Sequence, residues 1–74
     1  MKKHYKLSMS GYTPLLIIAN QENLHDLYTI HNDFNNKVYH GKLGYVGEKE
    51  YKELLKKELE KNNIEFEEFE ITEL

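Results

Sequence analysis

The fold class of this chain is set by residues 4–19, which have the sequence HYKLSMSGYTPLLIIA. In the first part of this stretch, Tyr5, Leu7 and Met9 alternate with other side chains. An alternation with a period of two residues is typical of a half-buried β-strand. We therefore predict a first strand over residues 4–9.

The second part of the stretch predicts a turn and another strand. Residues 10–14 are rich in turn-forming residues, and Pro14 can begin a strand but cannot occupy its middle. Residues 15–19 form a continuous apolar run, as expected for a strand that is covered on both faces. The whole stretch is therefore predicted to form a β-hairpin.

A helix is predicted to follow the hairpin, with Asn20 as its cap and a start near Gln21. Side chains at spacings of three or four residues would form one helical face: Leu24, Leu27, Tyr28, His31 and Phe34. Residues 29–33 have poor helix propensity, so a hairpin within residues 27–40 is the alternative.

Residues 37–46 carry apolar side chains separated by glycines, which predicts one interrupted strand or a short hairpin. Gly41, Gly44 and Gly47 also form a G-x-x-G-x-x-G series, which matches neither of the common phosphate-binding glycine motifs. The spacing of the first two glycines equals that of the GXXG loop in KH domains, but no clear helix is predicted before it. We interpret these glycines as bulge, turn and cap residues.

The most regular helix is predicted over residues 48–61. Its apolar stripe comprises Tyr51, Leu54, Leu55 and Leu59. Two pairs of glutamate and lysine four residues apart, Glu48–Lys52 and Glu53–Lys57, are ordered favourably for a helix. Gly47 is the predicted N-cap, and Asn62 and Asn63 are predicted to end the helix.

A last strand is predicted over residues 64–71. A β-bulge near Glu67 and Glu68 would place all four of its apolar side chains on one face: Ile64, Phe66, Phe69 and Ile71. The predicted fold is a single small α+β domain over residues 1–74. Its mainly antiparallel sheet of three to four strands would carry one or two helices on one face, in β-β-α-β-α-β order.

The charged residues argue against sequence-specific nucleic-acid binding. The chain has 74 residues, 13 acidic and 10 basic side chains and a net charge of -3, and every basic residue is lysine. Arginine is the usual bidentate reader of phosphate and guanine. The negative charge is concentrated at the end, since residues 58–74 hold seven glutamates and one lysine.

The longest apolar run, residues 15–19, is too short for a signal-peptide core or a membrane span. We therefore expect a cytoplasmic protein without a membrane partner. The chain has no cysteine, which excludes disulfides and thiolate metal sites.

Catalysis is not predicted. The four histidines, His4, His25, His31 and His40, include no pair at the spacing of the H-E-x-x-H zinc motif. A chain of this length can seldom build the concave, preorganised site that catalysis needs. We expect no enzyme activity, no metal and no cofactor.

The six tyrosines are candidates for molecular contacts. Tyr5, Tyr28 and Tyr51 fall on predicted core faces, whereas Tyr12, Tyr39 and Tyr45 are the candidates for exposure. Exposed tyrosines favour protein contact because they add large area at small entropic cost. One alternative is ordinary packing in the core or at its boundary. The other is a stacking platform for RNA or single-stranded nucleic acid.

The acidic run near the end of the chain is the candidate docking surface: Glu65, Glu67, Glu68, Glu70 and Glu73. Its alternative role is a solvated face that protects an edge strand from aggregation.

The predicted function is a small protein-binding module, of the kind that phages and mobile elements encode as inhibitors of host proteins. The alternatives are a nucleic-acid-binding domain and an antitoxin-like partner of a basic protein. Self-association as a homodimer is a further expectation, since so small a core supplies little stability.

Overall fold

A computed structural model describes residues 1–70. The strands are β1 (Lys2–Leu7), β2 (Leu15–Asn20) and β3 (Phe66–Glu68). The helices are α1 (Leu24–Tyr39), which one 3₁₀ turn precedes, and α2 (Glu50–Lys61). This arrangement confirms the α+β class, with a three-stranded sheet and two helices.

The sheet is antiparallel, in the spatial order β1-β2-β3. His4 pairs with Ile18, which in turn pairs with Glu67. Because directly paired residues share a face of the sheet, this register assigns every strand side chain to the helix-covered inner face or to the opposite outer face.

The core lies between the inner face of the sheet and the two helices. Its buried members come from all layers: Leu7, Leu15, Ile17, Ala19, Leu27, Phe34, Val46, Tyr51, Leu55, Leu59 and Ile64. Tyr51 is fully buried, with its ring 5.1 Å from that of Tyr12 and 5.4 Å from that of Phe34. The predicted stripe of α2 is confirmed as core, with Leu54 at its margin.

The first helix is confirmed. The side-chain oxygen of Asn20 accepts a hydrogen bond from the Glu22 amide at 3.0 Å and caps the 3₁₀ turn Gln21–Asn23, which leads into α1. At the other end, Gly41 has a φ of 68°, and the amide of Lys42 donates to the carbonyl of Lys37 at 2.9 Å. This geometry is a Schellman cap, which closes a helix where a glycine adopts the left-handed conformation.

The predicted strand or hairpin over residues 37–46 is wrong. Residues 37–39 complete α1, and turns and irregular chain occupy residues 40–49. The element order in residues 1–70 is therefore β-β-α-α-β. A helix does precede Gly41, so the reason for setting aside a GXXG loop does not hold.

Two expectations about the strands are also corrected. No bulge interrupts β3 before Phe69, since its amide donates to the Leu16 carbonyl at 3.0 Å and continues the regular register. Phe66 therefore faces inward and Phe69 outward, while Ile71 lies outside the described residues. In β2, buried residues alternate with partly buried ones, so residues 1–70 cover only one face of that strand.

Candidate functional site

Strand β3 divides the predicted acidic surface into inner and outer glutamates. Glu68 faces inward, and its carboxylate lies 2.9 Å from the ammonium group of Lys56 and 3.3 Å from that of Lys52. The hydrogen bond from Lys56 holds the pKa of Glu68 below its usual value, and the same bond raises the pKa of Lys56. Glu68 thus ties β3 to α2.

The other glutamates of the acidic run that the structure describes are exposed. Glu65, Glu67 and Glu70 lie at the solvent surface, and none of them forms an ion pair within residues 1–70. Glu73 lies outside the described residues. The acidic surface therefore consists of these three carboxylates along one edge of the sheet.

The outer face of the sheet adjoins this acidic edge. Leu16, Ile18 and Phe69 lie there partly buried, and none of them packs against the core. The rings of His4 and Phe69 meet edge to face above the central strand, with centroids 5.0 Å apart. No helix of residues 1–70 covers these apolar side chains. Leu16 and Ile18 belong to the strand that the sequence predicted to be covered on both faces.

The opposite edge of the outer face is basic. Lys2 and Lys6 are exposed on β1, on the same face as Ile18 and Glu67. Lys2, Ile18, Asn20, Glu65 and Glu67 line one open concavity of about 480 Å³. The outer face thus runs from a lysine edge through an apolar centre to a glutamate edge.

The predicted tyrosines separate into buried and exposed groups. Tyr12 is partly buried against Tyr51, whereas Tyr39 and Tyr45 are 76% and 90% exposed. Tyr28, expected in the core, is 53% exposed, whereas Leu27 and Phe34 are the buried residues of α1. The structure therefore leaves the two tyrosines that flank the glycine turn, and not Tyr12, free of the core.

A shallow groove lies beside this turn. Phe34, Leu43 and Leu54 form its apolar part, Lys37 and Lys57 contribute two ammonium groups, and its volume is about 220 Å³. A second groove of about 290 Å³ contains His40, Lys42 and Lys37 together with Asp33 and Glu58. This end of the molecule combines cations and exposed aromatic rings, but two carboxylates lie among them.

A polar cluster that sequence reasoning missed joins α1, α2 and the chain after β1. Nε2 of His31 lies 3.1 Å from both the Ser8 carbonyl oxygen and the side-chain nitrogen of Asn35. The hydroxyl of Tyr51 donates to the side-chain oxygen of Asn35 at 2.5 Å. Burial lowers the pKa of the partly buried His31 and raises that of the fully buried Tyr51 to about 12. The His31–Asn35 spacing of four residues was the available signal for this structural cluster.

Within residues 1–70 no group of three or more histidines and carboxylates is arranged to hold a metal ion. None of the helices in that part of the chain is long and apolar enough to cross a membrane. Comparison with protein-family models, curated proteins and solved structures gives no match.

Proposed function

We propose that this chain is a non-enzymatic domain that binds another protein through β3. The observation that carries the proposal is that the edge strand β3 contains exposed Glu67 and is flanked by exposed Glu65 and Glu70. None of these three glutamates has an ion-pair partner in residues 1–70. The partner would present a basic, extended segment.

Strand addition is the binding mode that this edge favours. Among residues 1–70, β3 pairs with β2 alone, so its second edge can accept the backbone hydrogen bonds of a partner strand. The glutamates would oppose pairing with another acidic strand and attract a basic one. Their complementarity should act mainly on the association rate.

Such a domain would act by occupying the surface of its partner. This mode suits a phage or mobile-element inhibitor, or an antitoxin-like partner of a basic protein, because neither role needs a catalytic pocket. The exposed Tyr39 and Tyr45 offer a second contact zone, since tyrosine is enriched at protein interfaces.

The experiment places a photo-crosslinking amino acid at Glu67 in cells that naturally produce the protein. The same crosslinker at Lys61, which is exposed at the end of α2, is the matched control. A protein other than this chain that crosslinks at position 67 and not at position 61 supports the proposal. Equal crosslinking at both positions would contradict docking at β3.

The rate of association with the captured partner then tests the charges. Reversal of Glu65, Glu67 and Glu70 to lysine should slow association at low salt. The loss should shrink as the Debye length falls from about 10 Å at 0.1 M to about 3 Å at 1 M salt. Reversal of the exposed Glu22, Glu48 and Glu60 changes the net charge equally and should have a smaller effect.

Binding of single-stranded nucleic acid is the second candidate, and the helix before Gly41 favours it. The Gly41–Gly44 turn lies between two helices, as a GXXG loop would, with exposed Lys42 inside it and exposed Tyr45 beside it. Fluorescence anisotropy with mixed DNA and RNA oligonucleotides at low salt tests this function. Loss of binding in Lys42→Glu but not in Lys61→Glu would support the second candidate over the first.

A further inference from the structure

Three antiparallel strands give the outer face of the sheet a repeating order of side chains. In the central row, His4 lies on β1, Ile18 on β2 and Glu67 on β3. In one flanking row Lys2 pairs with Asn20, and Glu65 lines the same concavity. In the other flanking row, Lys6 pairs with Leu16, and the Leu16 carbonyl accepts a hydrogen bond from the Phe69 amide. Two rows therefore pass from a basic side chain to a carboxylate, and the third passes from lysine to phenylalanine.

From this order we infer that the outer face binds a second copy of the same chain and forms a symmetric dimer. The two-fold axis would run parallel to the strands, between two sheets packed about 10 Å apart. This axis exchanges left and right, so β1 of each copy lies over β3 of the other. Lys2 then faces the partner's Glu65 edge, and Ile18 packs on its own symmetry mate.

The alternative two-fold axis, perpendicular to the strands, does not fit the charges. It would place β1 over β1 and β3 over β3, so that lysine faces lysine and glutamate faces glutamate. Like charges directly opposed across an interface disfavour that arrangement. The charge order thus selects one of the two face-to-face dimers.

Apolar burial gives the dimer its driving force. In the dimer, the partner copy covers Leu16, Ile18 and Phe69 with a second apolar layer. The continuous apolar run of residues 15–19 is typical of a strand that is covered on both faces in this way. The face measures about 14 Å across three strands and roughly 20 Å along them, so the buried area is smaller than that of a stable interface and typical of a weak, transient one. We therefore expect a reversible dimer that dissociates on dilution.

This interface shares Glu65 and Glu67 with the docking surface of the proposed function, but it does not use the backbone edge of β3. Face-to-face packing extends the molecule perpendicular to the sheet, whereas strand addition at β3 extends it within the sheet. Dimer formation leaves the backbone edge of β3 open to a partner strand.

Sedimentation velocity of the whole chain, from about 10 μM to about 1 mM, tests the inference. The average mass should rise with concentration from 8.9 kDa towards twice that value. A mass that stays at the monomer value throughout this range would overturn it.

Two charge-reversed variants test the orientation. The basic-strand variant carries Lys2→Glu with Lys6→Glu, and the acidic-strand variant carries Glu65→Lys with Glu67→Lys. Each alone should be monomeric, whereas an equimolar mixture should recover the dimer, because glutamate on one copy then faces lysine on the other. Lys42→Glu with Lys61→Glu, which has the net charge of the basic-strand variant, should dimerise like the parent.

A mixture that stays monomeric, or single variants that dimerise like the parent, would overturn this interface. A measurement on the unmodified chain provides an independent check if a variant fails to fold. Amide chemical shifts that change with concentration should cluster on residues 2–6, 16–20 and 65–69. Changes confined to the helices would place self-association elsewhere and overturn the inference.

Discussion

The carboxylate of Glu68 and the ammonium group of Lys56 lie 2.9 Å apart and join β3 to α2. Lys52 approaches the same carboxylate to 3.3 Å, and Lys56 also pairs with Glu53 at 3.0 Å. Only three residues of β3 pair with β2, so this side-chain link supplements a short backbone ladder. It also fixes which glutamates remain available on the surface.

Replacement of this carboxylate should weaken the attachment of β3. Glu68→Gln should lower the free energy of unfolding by about 1 kcal/mol near neutral pH, because partly exposed ion pairs contribute up to about 1 kcal/mol each. Urea denaturation measures the change. Glu67→Gln, on the outer face of the same strand, is the control and should stay within about 0.5 kcal/mol of the parent.

The ion pair between Glu68 and Lys56 should also make the free energy of unfolding depend on pH. The pKa of Glu68 is lower in the folded chain than its usual 4.5, so the unfolded chain binds the proton more readily. The stabilisation is present above that usual value and is lost as pH falls through the folded pKa. The stability difference between the parent and Glu68→Gln should therefore shrink in acid. A difference that stays constant down to pH 3 would contradict the ion-pair explanation.

Leu55 provides the test of the core. Its side chain is fully buried between α2 and the sheet, so Leu55→Ala should lower the free energy of unfolding by about 2–5 kcal/mol. A domain of this size has little total stability, and much of the chain should unfold. Leu43→Ala, at a side chain that is 43% exposed, should change the melting temperature little. Equal effects of the two substitutions would show that the stripe of α2 is not the core.

Sequence patterns predicted the hairpin and α2 because each has one dominant signal. Alternation and a proline-containing turn define the hairpin, and a regular apolar stripe defines α2. The residues that fail prediction depend on contacts between distant segments. Glu68 resembles the other glutamates in sequence, and only its position opposite Ile17 turns it towards Lys56.

The C-terminal end of α1 shows a second reason for failure. Residues 37–46 carry apolar side chains separated by glycines, which predicted strands, but Gly41 adopts a positive φ and closes a Schellman cap instead. The sequence signal for the end of the helix was Gly41, which follows the last turn, Lys37 to Tyr39. A glycine just after a last turn that contains a lysine is typical of helix ends. Local capping therefore outweighed the strand propensity of Val38 and Tyr39.

Asn63 allows the matching cap of α2 to be tested. It has a φ of 60°, and the amide of Ile64 donates to the carbonyl of Leu59 at 3.0 Å, which completes a Schellman cap. Asn63→Gly should raise the free energy of unfolding by up to about 1 kcal/mol, because glycine adopts this conformation without steric cost. Asn63→Ala should lower it by about 1 kcal/mol. Thermal unfolding followed by circular dichroism measures both, and the opposite order would contradict the cap.

His31 gives the domain a pH dependence near neutrality. Partial burial lowers its pKa below the usual 6.5, while the hydrogen bond to the Ser8 carbonyl acts in the opposite direction and is the weaker effect. Between the folded pKa and 6.5, the unfolded chain binds more protons than the folded chain. The free energy of unfolding should therefore be highest above about pH 6.5, fall as the pH decreases through this window, and level off below the folded pKa.

Urea denaturation in steps from about pH 7.5 to about pH 5.5 measures this slope, above the range in which carboxylates titrate. His31→Gln should remove it, because glutamine keeps a polar group near the Ser8 carbonyl but cannot titrate. His25→Gln changes an exposed histidine on the same helix and should retain the slope of the parent. If the His31→Gln variant retained the parent's slope, the pH dependence would not originate in the cluster of His31, Asn35 and Tyr51.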